Sequence, residues 1–134
     1  MTTTSIDRTR RRFDLGEALA ILQRTPATLD AMLRGLPEGW ISANEGDGTW
    51  SPFDVVGHLI YGERQNWMER ARMILQHGES APFHKFDRFA QFRESEGKTL
   101  AELLDEFAAL RAKNVEALRA MELTEADLDR QGMH

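Results

Sequence analysis

The chain has 134 residues, the length of one domain, and its 41% hydrophobic and 29% charged content suits a folded core and excludes a disordered tail. Net charge is −5, but Arg8, Arg10, Arg11 and Arg12 against Asp7 give the first 12 residues +3 and leave −8 on the other 122. An acidic body of this kind excludes the basic face of a nucleic-acid-binding domain.

There is no cysteine, hence no disulfide, thiolate metal site or Cys nucleophile. No apolar run approaches the ~20 residues of a membrane span, and no apolar stretch follows the basic arm as in a secretory signal. The expected organisation is a flexible basic arm over 1–12 and one soluble, cytoplasmic domain over 13–134.

In chain order, every patterned segment is helical and none alternates with a period of two. Leu15, Leu19, Leu22, Leu29, Leu33 and Leu36 mark the first helix. Thr25-Pro26 resembles an N-cap followed by a first-position proline, so a kink or restart is expected there; Gly35 and Pro37 end the helix. Residues 38–50 read as a loop. Its turn cluster Asn44-Glu45-Gly46-Asp47-Gly48 lacks the downstream bidentate Glu of a calcium loop.

The second helix opens with Ser51 as N-cap, Pro52 at the first position and Asp54 in the first turn. It is expected to run to His77, before Gly78. Its apolar stripe is Val56, Leu59, Ile60, Trp67, Ala71 and Ile74, and Glu63 sits on that stripe. The connection over 78–98 carries Phe83, Phe86, Phe89 and Phe92 at intervals of three, a spacing suited to a short helical or 3₁₀ turn. Such a segment either seals the bundle end or forms a pocket wall.

The third helix starts at the capping box Thr99-Leu100-Ala101-Glu102 and buries Leu100, Leu103, Leu104, Phe107, Val115, Leu118 and Met121. Arg111 and Asn114 fall on that same face. Thr124-Glu125-Ala126-Asp127 caps a short last turn. Three substantial helices result, each with one apolar face, whereas a bundle normally closes with four.

The histidines are His58, His77, His84 and His134, with no pair three or four apart to hold a metal on one helix. His58 lies off the centre of its stripe, beside Ser51, Val55, Gly62, Gln65 and Glu69; Gly62 leaves space next to the imidazole. Glu63 and Arg111 are opposite charges on apolar faces, and each needs a partner or must neutralise. An ion pair across the core is expected; a general acid/base role for Glu63 is the functional alternative. Glycine-rich phosphate loops after strands and G-x-S-x-G elbows are absent.

The run Trp50-Ser51-Pro52-Phe53-Asp54-Val55-Val56-Gly57-His58-Leu59-Ile60, followed by Glu63-Arg64-Gln65-Asn66-Trp67, resembles the signature of the DinB/YfiT-like superfamily. Arg24-Thr25-Pro26 with Leu36-Pro37 upstream, and Leu103-Leu104, Phe107, Leu110-Arg111 and Asn114 downstream, add to a likeness over roughly residues 13–130. The resemblance implies an all-α, up-down-down-up four-helix bundle, often a homodimer, acting on a small molecule. It implies a divalent metal, zinc or nickel, held by three histidines, and activity as a thiol-dependent S-transferase, isomerase or hydrolase, some with a low-molecular-weight thiol.

In that scheme His58 is the first metal ligand, with Trp50, Glu63, Asn66 and Trp67 as pocket candidates. The other two ligands form H-x-x-x-H on a last long helix, which is missing here: His134 matches the connection before it. The resemblance therefore implies a metal-dependent transferase or hydrolase with an incomplete metal site, and the exposed Leu-rich faces are expected to lead to self-association or partial disorder. The competing expectation is a non-enzymatic bundle that acts through oligomerisation.

Overall fold

The structure, a computed structural model, describes residues 13–134; the basic arm over 1–12 lies outside the described residues. Asp14 accepts from the Glu17 amide and starts α1, Leu15–Leu33, which ends where Gly35 takes a φ of 82°. A single turn, α2 (Glu38–Ile41), follows. The capping box of Ser51 and Asp54 then starts α3, Pro52–Gln65, and α4 spans Trp67–His77 up to Gly78. After an irregular stretch come α5 (Ala90–Ser95), α6 (Leu100–Ala120) and α7 (Glu125–Leu128).

The described residues form no strand; Pro82 and Met133 make one isolated parallel bridge. None of their helices is long and apolar enough to cross a membrane. Helix α6 packs against both α1 and α3, and α5 lies on α3.

Two apolar clusters fill the interior. Ile41, Val56, Ile60, Leu100, Leu103, Leu104 and Phe107 form the first, and Leu19, Met68, Val115 and Leu118 the second. Each fully buried side chain of this size contributes about 1.5–3 kcal/mol relative to exposure. Between the clusters lies a buried polar layer: Arg111 Nε donates to Glu63 Oε1 at 2.6 Å, and Asn114 Nδ2 donates to Glu63 Oε2 at 2.8 Å.

Five local expectations need correction. Thr25-Pro26 does not restart α1, which is one continuous helix through Pro26. The proline cannot donate to the Leu22 carbonyl four residues back; Arg111 Nη1 donates to that carbonyl at 2.9 Å instead. Thr25 is a mid-helix residue whose Oγ1 donates to the Ile21 carbonyl.

The stretch 38–50 is not all loop, because α2 carries Ile41 into the first cluster. The second helix does not run unbroken to His77. Asn66, at φ −123° and ψ −87°, separates α3 from α4. The break frees the last carbonyls of α3, and Asn114 Nδ2 donates to that of Glu63 at 2.9 Å.

The phenylalanines at intervals of three do not share one helical turn either, since only Phe92 lies within α5. At the start of α6, Thr99 Oγ1 accepts from the Glu102 amide and contacts the Glu102 carboxylate, so the reciprocal bond to the Thr99 amide is not the one made.

Candidate functional site

Ser51 Oγ accepts from the Asp54 amide at 3.2 Å and the Ser51 amide donates to Asp54 Oδ2 at 3.0 Å. This closure fixes how the chain enters α3, with Pro52 pre-set for the first helical position. Trp50 precedes the cap, and its ring lies over His58, which projects from the second turn of α3. The two centroids are 4.9 Å apart and the planes tilted by 45°.

The imidazole also meets Phe86 in a T-shaped contact, with centroids 6.0 Å apart and planes at 75°. Behind these rings, Tyr61 packs against Phe86 at 5.0 Å and Phe92 stands edge-on to Trp50 at 6.3 Å. The result is a half-buried imidazole in an aromatic surround, with Trp50 still 43% exposed at its mouth. Desolvation, helped by the negative charges of Asp87 and Glu94, pushes the Tyr61 phenol above its ordinary value.

Helix α5 adds a polar contact that the sequence did not reveal. Gln91, only 2% exposed, places Oε1 3.1 Å from His58 Nδ1 and donates from Nε2 to the Asp54 carbonyl at 3.0 Å. Contact through Nδ1 leaves His58 Nε2 with no protein partner among the described residues. At Gly62, one turn on, an added Cβ would meet nothing within 4 Å, so this side of the helix is open.

Close approach of α5 depends on Gly57, where a Cβ would come within 2.6 Å of Ser95 Oγ. The one sequence signal for Gln91 is faint, an amide within an aromatic run. Asp87 Oδ1 accepts from the amides of Phe89 and Ala90. The amide of Phe89 and the guanidinium of Arg93 hold the Asp87 carboxyl below its ordinary value.

Of the four pocket candidates, the structure brings Trp50 to His58. Glu63 is committed to Arg111 and Asn114 in the polar layer, Trp67 packs on the second apolar cluster, and Asn66 forms the break between α3 and α4. The remaining histidines do not converge on His58: His84 faces Glu69 at 3.8 Å, while His77 and His134 are exposed. Among the described residues no group of three or more His, Cys, Asp or Glu could hold a metal ion. A groove of about 660 Å³ lies away from His58, between α1 and α6, over Pro26, Ala27, Ala31, Ala108 and Ala112.

The family model of the DinB superfamily matches residues 21–134. The chain belongs to the DinB superfamily. A solved DinB-like structure, YfiT from Bacillus subtilis, superposes with a TM-score of 0.72 at 19% identity, over 89% of this chain and 67% of that one. YfiT is described as a probable metal-dependent hydrolase with an unusual four-helix bundle topology. The likeness establishes a shared DinB-type helical fold. No curated protein matches the sequence.

Proposed function

We propose that this DinB-superfamily protein acts on a small molecule bound against Trp50, His58 and Phe86, in a metal-dependent transfer or hydrolysis reaction. Its substrate is a small thiol or electrophile, and His58 is the chain's contribution to a zinc or nickel site. One observation carries the reading. A half-buried imidazole is held through Nδ1 by a buried amide, and its other nitrogen is unpartnered among the described residues. The description of YfiT supports a divalent ion.

The donor set by itself does not fit that ion. A catalytic zinc takes three protein ligands and keeps one open position, whereas His58 has no second or third ligand beside it among the described residues. In the proposed reading the metal site is incomplete within residues 13–134, as is the four-helix bundle, and copies of the chain associate as a dimer. What the present residues supply is defined: Trp50 and Phe86 pack against the imidazole, and His58 presents one oriented nitrogen.

A second reading, a bundle that works only through association, is favoured by Ile21, Met32 and Trp40, which are 69%, 64% and 71% exposed. Elemental analysis of untagged protein together with its mass in solution separates the two. Near-stoichiometric zinc or nickel, lost in His58→Ala, is the expected result. Metal-free protein of dimer mass, unchanged by His58→Ala, would overturn the enzymatic reading and leave the association module.

A further inference from the structure

A neutral imidazole has one ring proton, and only the nitrogen without it offers a lone pair. In water the proton of a free histidine side chain prefers Nε2, which is the nitrogen left open at His58. We infer that Gln91 is a positioning residue that holds this proton on Nδ1 and so makes Nε2 the lone-pair atom of the site. The functional consequence rests on the reading proposed above; the tautomer itself does not.

The polarity follows from a chain of groups with fixed roles. The Asp54 carbonyl can only accept, so the end of Gln91 facing it at 3.0 Å is the amide NH₂. The other end is then the carbonyl Oε1, which also only accepts. Since Oε1 lies 3.1 Å from His58 Nδ1, that nitrogen must donate. Flipping the amide would set two carbonyl oxygens against each other at Asp54. At 2% exposure Gln91 has little access to water as a substitute partner.

The rest of α5 serves the same placement. Ser95, one turn after Gln91, is buried at 8% exposure in the space left by the missing Cβ of Gly57. Asp87 anchors the other end of the helix through the amides of Phe89 and Ala90. A Gln91 that merely filled space would leave the choice of tautomer to solvent. A metal-ligating or proton-accepting histidine, by contrast, has its orientation set by the bond its other nitrogen makes.

Long-range nitrogen–proton NMR correlations of ¹⁵N-histidine-labelled, metal-free protein decide the matter, at a pH where the imidazoles are neutral and with His58→Ala to assign the signal. The expected wild-type pattern is a proton on Nδ1 of His58. Gln91→Leu is expected to move it to Nε2 while His77, His84 and His134 stay unchanged.

A wild-type His58 protonated on Nε2 overturns the inference without any variant, so a Leu variant that fails to fold does not protect it. Persistence of the Nδ1 proton in folded Gln91→Leu overturns it too. The readout needs no bound metal. Protein found metal-free would therefore defeat the functional reading, while an Nδ1 proton sensitive to Gln91→Leu would still sustain the positioning role.

Discussion

At the scale of single residues, Arg111 answers two demands made by other parts of the chain. Its Nε pairs with buried Glu63, and its Nη1 takes the Leu22 carbonyl that Pro26 leaves without an amide donor. The guanidinium also sits 4.9 Å from the ring centre of Phe107. Removing one partner of a buried pair leaves an uncompensated charge, so Arg111→Met is expected to destabilise the fold by about 3–5 kcal/mol. Pro26→Ala returns the missing N–H to α1. The Arg111→Met loss should then be smaller in a Pro26→Ala background, by about 1 kcal/mol, the worth of one buried hydrogen bond. Urea unfolding of the four proteins measures that coupling, and strictly additive losses would show that the Leu22 contact carries no weight. The sequence shows that Glu63 and Arg111 both lie on apolar stripes, and hence that each needs a partner. It does not show that a proline supplies a further acceptor. Which carbonyl meets the guanidinium depends on the register of α1 against α6, and register is a property of packing.

At the scale of elements, the signals that survive in sequence are those made by neighbours along the chain. Ser51, Pro52 and Asp54 announce the start of α3, and Thr124 with Asp127 announce α7, because a cap is closed within four residues. Helix α5 is illegible by the same standard. Its buried face is Ala90, Gln91 and Ser95, too short and too polar to raise an apolar period, and it is held by α3 from outside. The break at Asn66 is hidden likewise, since Asn114 on α6 occupies a carbonyl at that break. Thus the sequence exposes His58 and the aromatic run near it, but not the amide that joins them.

This division has a consequence in acid. The Asp87 carboxyl is held below its ordinary value of 3.8, first by the Phe89 amide and then by Arg93. A carboxylate depressed in the folded state stabilises above its unfolded pKa, and that contribution disappears as pH falls through the folded value. Hydrogen-exchange protection of the α5 amides, normalised for intrinsic rates, should accordingly hold down to about pH 4 and then drop. Asp87→Asn should flatten that drop. An acid loss of protection equally steep in the Asn variant would rule out Asp87 as its source.

At the scale of the whole molecule, the order along α6 repeats the order of the interior: Leu100 to Phe107, then Arg111, then Val115 and Leu118. Helices α3 and α4 run through Val56 and Ile60, then Glu63, then Met68, so apolar clusters lie on both sides of one charged layer. His58 stands outside this interior, on the face covered by α5 and the irregular stretch that carries Phe86. That stretch is tied down from far along the chain. The Phe83 amide donates to the Met133 carbonyl at 2.9 Å, and Arg130 Nη1 donates to the Leu75 carbonyl at 2.8 Å near the end of α4. Between them Gly132 passes so close that a Cβ would lie 2.4 Å from Phe83 Cζ and 2.8 Å from Ile74 Cγ1. Gly132→Val therefore cannot keep this segment seated without displacing both side chains, a conflict of about 1–3 kcal/mol. Because only a few contacts hold residues 130–133, the conflict should be relieved by local release rather than by unfolding. Global stability to urea should change little, while the Phe83 amide loses protection and the amides of α6 keep theirs. If Gly132→Val instead lowered protection across α6 by the same factor, the tail would belong to the cooperative core, and the wall beside His58 would open only when the whole bundle does.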